Sequence, residues 1–476
     1  MNDFAALRAR FARGGQSQVF RFWDRLDQRE KELLIGQTKK IDLEKIVGLT
    51  SGLTLQEEEE KIENAEIRPA PSIAHPKNGG NPRVWTRART VGEEALSCSK
   101  VGVLTVAGGQ GTRFGYDGPK GTYPISPLTG KSFFEIFAEK IRYAQEAYQT
   151  KIPWFIMTSR ENHEETARFF HDNDNFQLFP EDVFLFEQGE MPSVDFEGKI
   201  LLEDAGCIAM NPDGHGGSLR ALVQSGAVER MRQKGVEIIS YFQIDNPLAN
   251  VADPAFVGFH IEHGSEFSSK MVTKTCPEEK VGLFCLVRDR LRVIEYSDLA
   301  EEVAVKRDIE GCLINRAGSV AIHLLSRGFV EEIGGSFGSE VCLPFHQARK
   351  KVAIIDENGE KFEPEQPNAV KFEMFIFDAI LFAKNPIVVE TLRCEEFSPV
   401  KNLEGLDSAE FYRAQQLRLW AQWLKRVGVD LPCDSTGLPS IRIEISPLFA
   451  STEEQFVEKW REIQTKPKVE DGAYIE

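Results

Sequence analysis

Residues 101–120 constrain the fold of this chain more than any other stretch. Val101 to Val106 is a short apolar and β-branched run, the pattern of a buried parallel strand. It breaks into Ala107-Gly108-Gly109-Gln110-Gly111-Thr112-Arg113. Glycines at 108, 109 and 111 let the backbone approach a ligand and turn its amides toward it. Arg113 and Lys120 bring two cations to the end of that loop, which is chemistry for a polyphosphate. The loop has neither the G-K-[ST] ending of a Walker loop nor the G-x-G-x-x-G of a dinucleotide fold.

The rest of the chain reads as α/β. Phe133 to Ala147 carries Phe134, Phe137, Ile141 and Ala144 on one helical face. Trp154–Thr158 and Val183–Phe186 read as strands with a helix, Asn162 to Phe170, between them. This alternation predicts a Rossmann-like mixed, mostly parallel sheet flanked by helices, with ligands at the carboxyl ends of strands. Gln188 lies just past a strand end, as an amide for a base edge or as an ordinary exposed residue. A second glycine-rich turn, Met210-Asn-Pro-Asp-Gly-His-Gly-Gly-Ser218, precedes a helix from Leu219. Tyr241–Asn246 reads as an apolar strand ending in an acid. Asp245 there either holds a divalent cation beside phosphates or opens the following turn. Val281–Val287 and Arg292–Asp298 look like paired strands, with Glu295 facing sugar hydroxyls or solvent. Phe375 and Phe377 form an aromatic stripe, and Lys401 is a cation on a late loop.

Residues 1–65 read as helices, with Glu57–Glu60 a solvated helix face, and the Pro- and Gly-rich 68–82 as a linker or a long irregular crossing between domains. The chain from Leu403 to Val427 reads as helix, followed by a strand over 440–445 and a helix over 453–463. Three segments follow: 1–85, helical with its linker; 86–402, catalytic; and 403–476, an α+β C-terminal domain. A formal net charge of -17 argues against a nucleic-acid or acidic-membrane partner, so local Lys and Arg must hold any phosphorylated substrate. Eight cysteines without a C-x-x-C pair suggest reduced thiols and no zinc. With no apolar leader at the start and no spanning run, the expected location is cytoplasmic.

The ordered motifs resemble the UDP-N-acetylglucosamine pyrophosphorylase group of the UDP-sugar pyrophosphorylase family. They are Ala107–Lys120, Gln188-Gly189, Pro212–Gly217, Asp245, Val251–Pro254, Val281-Gly282, Glu295–Ser297, Lys371–Asp378 and Phe397–Lys401. The resemblance implies a sheet of the nucleotide-diphospho-sugar transferase type. It also implies transfer of uridylyl from UTP to N-acetylglucosamine 1-phosphate with release of pyrophosphate. By that resemblance Gly108, Gly109, Gly111 and Thr112 would hold UTP, Gln188 would read uracil, and Gly214 with His215 would line the nucleotide and sugar. Asp245 would bind Mg²⁺, and Gly282, Glu295 and Lys401 would contact the sugar phosphate. Phe375 and Phe377 would pack near the N-acetyl group. Two departures concern the sugar. His215 stands where these enzymes usually have Asn, and Arg316, Ser319 and Ile322 replace Asn in Asn315–His323. That sugar contact is therefore not carried over.

The chemistry fits the residues independently. A sugar-phosphate oxygen must attack the α-phosphorus in line, so positioning and charge neutralisation carry the rate. Arg113 and Lys120 suit the leaving pyrophosphate, and Lys401 the attacking phosphate. The alternatives are a UDP-glucose or broad-specificity UDP-sugar pyrophosphorylase, and a non-catalytic nucleotide-sugar-binding regulator.

Overall fold

The computed structural model describes residues 2–54, 67–336 and 342–476; Glu57–Glu60 lies outside them. Contacts group the chain into two compact units. One comprises Glu63–Glu187, Ala221–Gly335 and Ile380–Glu476; the smaller comprises Met1–Ile62, Gln188–Arg220 and Ser336–Ala379. This partition follows contact, whereas the three segments read from the sequence follow chain order. Among the described residues, no helix is long and apolar enough to cross a membrane.

The larger unit is built on a ten-stranded mixed sheet. Its strands are β1 (Ile67–Pro69), β2 (Val101–Val106), β3 (Trp154–Thr158), β4 (Val183–Glu187) and β5 (Ile238–Gln243), then β6 (Phe267–Thr273), β7 (Leu283–Val287), β8 (Arg290–Ile294), β9 (Ala317–Ser326) and β10 (Ile387–Glu390). Strands β5, β2, β3 and β4 are parallel neighbours. Beyond β5 the sheet turns antiparallel: β9 pairs β5, β6 and β7 pair β9, and β8 and β1 pair β7. Strand β10 is parallel to β6.

The continuous apolar runs of β2 and β3 follow from burial on both faces. On one face the helix Phe133–Ala147 sets Phe137 4.6 Å from the ring of Phe242 in β5. The helix His163–Asp172 brings Phe170 to 5.4 Å from Trp154. The paired strands expected near 281–298 form as the β7–β8 hairpin.

Three local readings need correction. Strand β5 ends at Gln243, and Asp245 lies in the turn beyond it, because the Asn246 amide pairs with backbone at 396 and 398. Residues 403–408 are not helical: Gly405 takes a positive φ of 74°, and the helix begins at Ala409, capped by Ser408. The stretch 68–82 is no free linker. It enters the sheet through β1 and through a bridge from Ile73 to Val389. It then opens a helix, Pro82–Ser97, that the sequence reading did not identify.

The smaller unit gathers the N-terminal helices Asn2–Arg13, Gln28–Lys40 and Leu43–Thr54. Asp27 and Glu30 form a capping box at the second. Phe11, Val19, Phe20 and Leu34 share one core with Met191, Val194, Ile208, Val370 and Phe372.

At the C-terminus of the larger unit, Ile443–Ile445 pairs in parallel with Ala473–Ile475. Trp420, Trp423, Phe456 and Trp460 fill a separate cluster there.

Candidate active site

The glycine loop leaves the carboxyl end of β2 and closes on itself. Gly111 N–H donates to Gly118 O (3.0 Å) and Lys120 N–H to Gly109 O (3.0 Å). Gly109 is exposed, and a Cβ there would meet nothing within 4 Å, so its backbone stands open. Gly111 is the reverse case, because a Cβ would lie 2.7 Å from the Tyr116 ring. Thr112 and Arg113 follow in an exposed 3-10 turn.

The closure returns Lys120 to the strand ends. Its Nζ lies 3.8 Å from Asp245 Oδ2 and donates to Val400 O at 3.4 Å. Both side chains are mostly buried, 15% and 13% exposed. Burial pushes the Lys120 ammonium below the ordinary lysine range; Asp245 opposes that, and Lys401 and Arg113 reinforce it. One carboxylate and two further cations therefore act on Lys120 beyond β2 and β5. Lys401 is exposed, and its N–H donates to Asp407 O at 2.6 Å. Burial raises the Asp407 carboxyl, Lys401 lowers it and Asp245 raises it further.

Magnesium keeps several waters and binds through one or two carboxylates plus substrate phosphates. Asp245 beside a phosphate loop suits that mode. Among the described residues, no group of three or more His, Cys, Asp or Glu side chains forms a ready-made cage.

On the β7–β8 hairpin, Gly282 and Glu295 are neighbours: a Cβ on Gly282 would lie 3.4 Å from Glu295 Oε1. The hairpin register, Leu283 opposite Ile294, accounts for this.

In the smaller unit, Gln188 donates its Nε2 to Gly214 O (2.7 Å) and to Asp213 Oδ1 (3.4 Å). Both amide hydrogens are thus engaged, and the carbonyl Oε1 is the end left to accept. Gly214 holds φ 85°, and a Cβ there would strike Met374 O at 2.4 Å. His215 Nδ1 accepts from Ile376 N–H (3.2 Å), which leaves the proton of a neutral ring on Nε2. Its ring stacks on Phe375 with centroids 5.4 Å apart, and Phe377 lies 5.8 Å away. Both phenylalanines are half-buried.

Several residues escaped the sequence reading. Asp213 is 1% exposed and lies between Gly189 and Gly217, where a Cβ would approach its carboxylate to 2.4 and 2.0 Å. Burial pushes its carboxyl up to about 6, against the Gln188 hydrogen bond and the charges of Arg220 and Lys45. Asn162, fully buried, donates to Ala107 O (3.0 Å) and so fixes the start of the glycine loop. His346 stacks on Phe375 at 4.5 Å and bonds to Asp378 at 2.8 Å. None of these carries a local motif. The run P-x-G-x-G around Asp213 was the only available signal.

A family model described as UTP–glucose-1-phosphate uridylyltransferase matches residues 49–422. UDP-N-acetylhexosamine pyrophosphorylase-like protein 1 of Xenopus tropicalis is 36% identical, over 91% of this chain and 86% of that protein. UDP-N-acetylglucosamine pyrophosphorylase of Saccharomyces cerevisiae is 34% identical, over 88% of this chain and 90% of its own. Among solved structures, the uridine diphosphate N-acetylglucosamine pyrophosphorylase of Trypanosoma brucei, in complex with inhibitor, superposes with a TM-score of 0.81. It is 25% identical, covering 100% of this chain and 98% of that one.

Proposed function

Because the chain belongs to the UTP–glucose-1-phosphate uridylyltransferase family, we propose that it makes a UDP-sugar and pyrophosphate from UTP and a sugar 1-phosphate, with N-acetylglucosamine 1-phosphate preferred. The observation that carries this reading is the grouping of Lys120, Arg113 and Lys401 with Asp245 beyond the glycine loop. A binding module needs a pocket; a mostly buried lysine acted on by two further cations and one carboxylate suits charge that moves between phosphates. The names of the relatives support the N-acetylated sugar.

In the reaction, a phosphate oxygen of the sugar 1-phosphate forms a bond to the α-phosphorus of UTP. The bond from that phosphorus to the bridging oxygen breaks, and its electron pair leaves with pyrophosphate. No general base is required, since the sugar phosphate is ionised at neutral pH. Gly108, Gly109, Gly111 and Thr112 cradle the triphosphate. Arg113 and Lys120 neutralise the leaving pyrophosphate, and Lys401 draws in the attacking phosphate. Gln188 accepts from the uracil N3–H through its Oε1, and Gly214 and His215 line the nucleotide. Gly282 and Glu295 take the sugar phosphate and hydroxyls, and Phe375 and Phe377 wall the acetamido methyl. Asp245 would hold magnesium, which when bound supplies positive charge to the phosphate oxygens. The scattered cysteines, without a C-x-x-C pair, suit a reducing compartment, and the cytoplasm is the proposed place of work.

The test is pyrophosphate release with UTP and three acceptors: N-acetylglucosamine, N-acetylgalactosamine and glucose 1-phosphates. Burying one methyl contributes about 1 kcal/mol, so kcat/KM should favour the N-acetylated sugars several-fold rather than exclude glucose. Phe377→Ala should shrink that preference. A glucose preference untouched by the substitution refutes the N-acetyl assignment, and no release with any acceptor refutes the reaction.

A further inference from the structure

The segment that carries Lys401 is fastened to the turn that carries Asp245 by the Asn246 side chain and one backbone bond. Asn246 is 3% exposed. Its Nδ2 donates to Glu396 O (2.7 Å), and its Oδ1 accepts from Ser398 N–H (3.1 Å). Two residues further, Val400 N–H donates to Asp245 O at 2.8 Å. Glu396 ends the short helix Arg393–Glu396 and the backbone is extended at Phe397, so bonds at 396, 398 and 400 fall at the two-residue spacing at which an extended chain meets a neighbour. The Asn246 amide therefore does there what a neighbouring backbone would do. The far side of each partner is also braced. Lys270 Nζ binds the Glu396 carboxylate (2.6 Å) and Asp253 Oδ2 (2.6 Å), while Lys140 Nζ donates to Pro247 O (2.7 Å) and Ala249 O (2.9 Å). Between buried Lys270 and half-buried Lys140, the joint itself is made by Asn246 and the Val400 bond. Lys120 reads both sides of the joint, through Val400 O and Asp245.

We propose that Asn246 is a positioning residue for uridylyl transfer, holding the Lys401 segment in register with Asp245 and Lys120. The proposal rests on the reading of Lys401 given above. A side-chain amide is suited to this task because it alone offers a donor and an acceptor at backbone spacing. Asp would present a second acceptor to the Glu396 carbonyl, and Ala would leave that carbonyl and the Ser398 N–H unpaired. Loss of register displaces Lys401 from the attacking phosphate, while the glycine loop that takes UTP is untouched.

The experiment is a double-mutant cycle in the full-length protein with Asn246→Ala, Lys401→Ala and the pair. A displacement near 1 Å at the reacting groups costs about 100-fold. The expected result is a fall of that order in kcat for Asn246→Ala, with the KM for UTP nearly unchanged. That fall should vanish in the Lys401→Ala background, since the two losses share one route. Asn246→Ser, whose hydroxyl can keep one of the two bonds without adding a charge, should lie between wild type and Ala, and it serves if the Ala protein does not fold. Amide exchange over residues 396–402 should quicken in either variant and stay unchanged at β2. Wild-type kcat in both Asn246 variants overturns the proposal. Losses that multiply with Lys401→Ala also overturn it while leaving the Lys401 reading intact. A fully active Lys401→Ala protein overturns both.

Discussion

Lys120 is the residue whose chemistry the sequence announced and whose environment only the fold created. Its ammonium is mostly buried and faces Lys401 and Arg113, so it loses its proton below the ordinary lysine range. Free enzyme governs kcat/KM and the substrate complex governs kcat. Bound phosphates favour the cation, so the alkaline limb of kcat should lie at higher pH than that of kcat/KM. Coincident limbs in the two profiles would remove Lys120 from the phosphates. Removing one charge-assisted contact costs about 2–4 kcal/mol in the barrier, so Lys120→Ala should depress kcat far more than it raises the KM for UTP. Asp213 makes a different prediction. Its folded carboxyl titrates near 6, above the ordinary ~3.9 of the unfolded chain. The folded state binds that proton more tightly, so the group contributes stability that is full below about pH 4 and lost as pH rises through about 6. Asn cannot titrate. Between pH 4.5 and 7, stability read from denaturation should therefore move in favour of Asp213→Asn, by about 2 kcal/mol. A pH-independent difference between the two proteins would contradict this.

Elements were legible where their apolar period was long and local. Phe133–Ala147 and Trp154–Thr158 form over the residues their patterns mark. The helix Pro82–Ser97 was missed because much of its buried face is Ala88, Gly92 and Ala95, small residues that give little periodic signal. The reason for that face lies in its partner, the helix Pro254–Glu262. A Cβ at Gly92 would fall 1.8 Å from Pro254 O, and one at Gly258 would fall 1.7 Å from Ala88 O. The two backbones touch through a reciprocal pair of glycines. Gly258→Ala must push them apart, and overpacking of this kind costs about 1–3 kcal/mol. A lowered thermal midpoint is expected, with the β2 loop chemistry, and hence kcat, changed much less. An unshifted midpoint would mean that the helices do not meet at these glycines.

At the scale of the molecule, the smaller unit is assembled from three separate stretches, and its N-terminal helices complete a core with residues from 188–220 and 336–379. A chain that begins at residue 67 should therefore expose Met191, Val194, Ile208, Val370 and Phe372. It should elute from a sizing column as aggregate and bind a hydrophobic dye. A monodisperse truncated protein would instead show that residues 1–66 form a domain of their own.

By itself the sequence determined the glycine loop, the parallel strands and the types of residue a phosphate site needs, because each is encoded within about twenty neighbouring positions. It did not place Asn246, Asp213 or Asn162, whose partners at 396–398, 188 and 107 are supplied by other stretches of the chain. Nor did it show that strand order turns antiparallel beyond β5. Hydrogen bonds between distant backbone groups and the meeting of small residues are decided by packing, and packing is set only once the whole chain has closed.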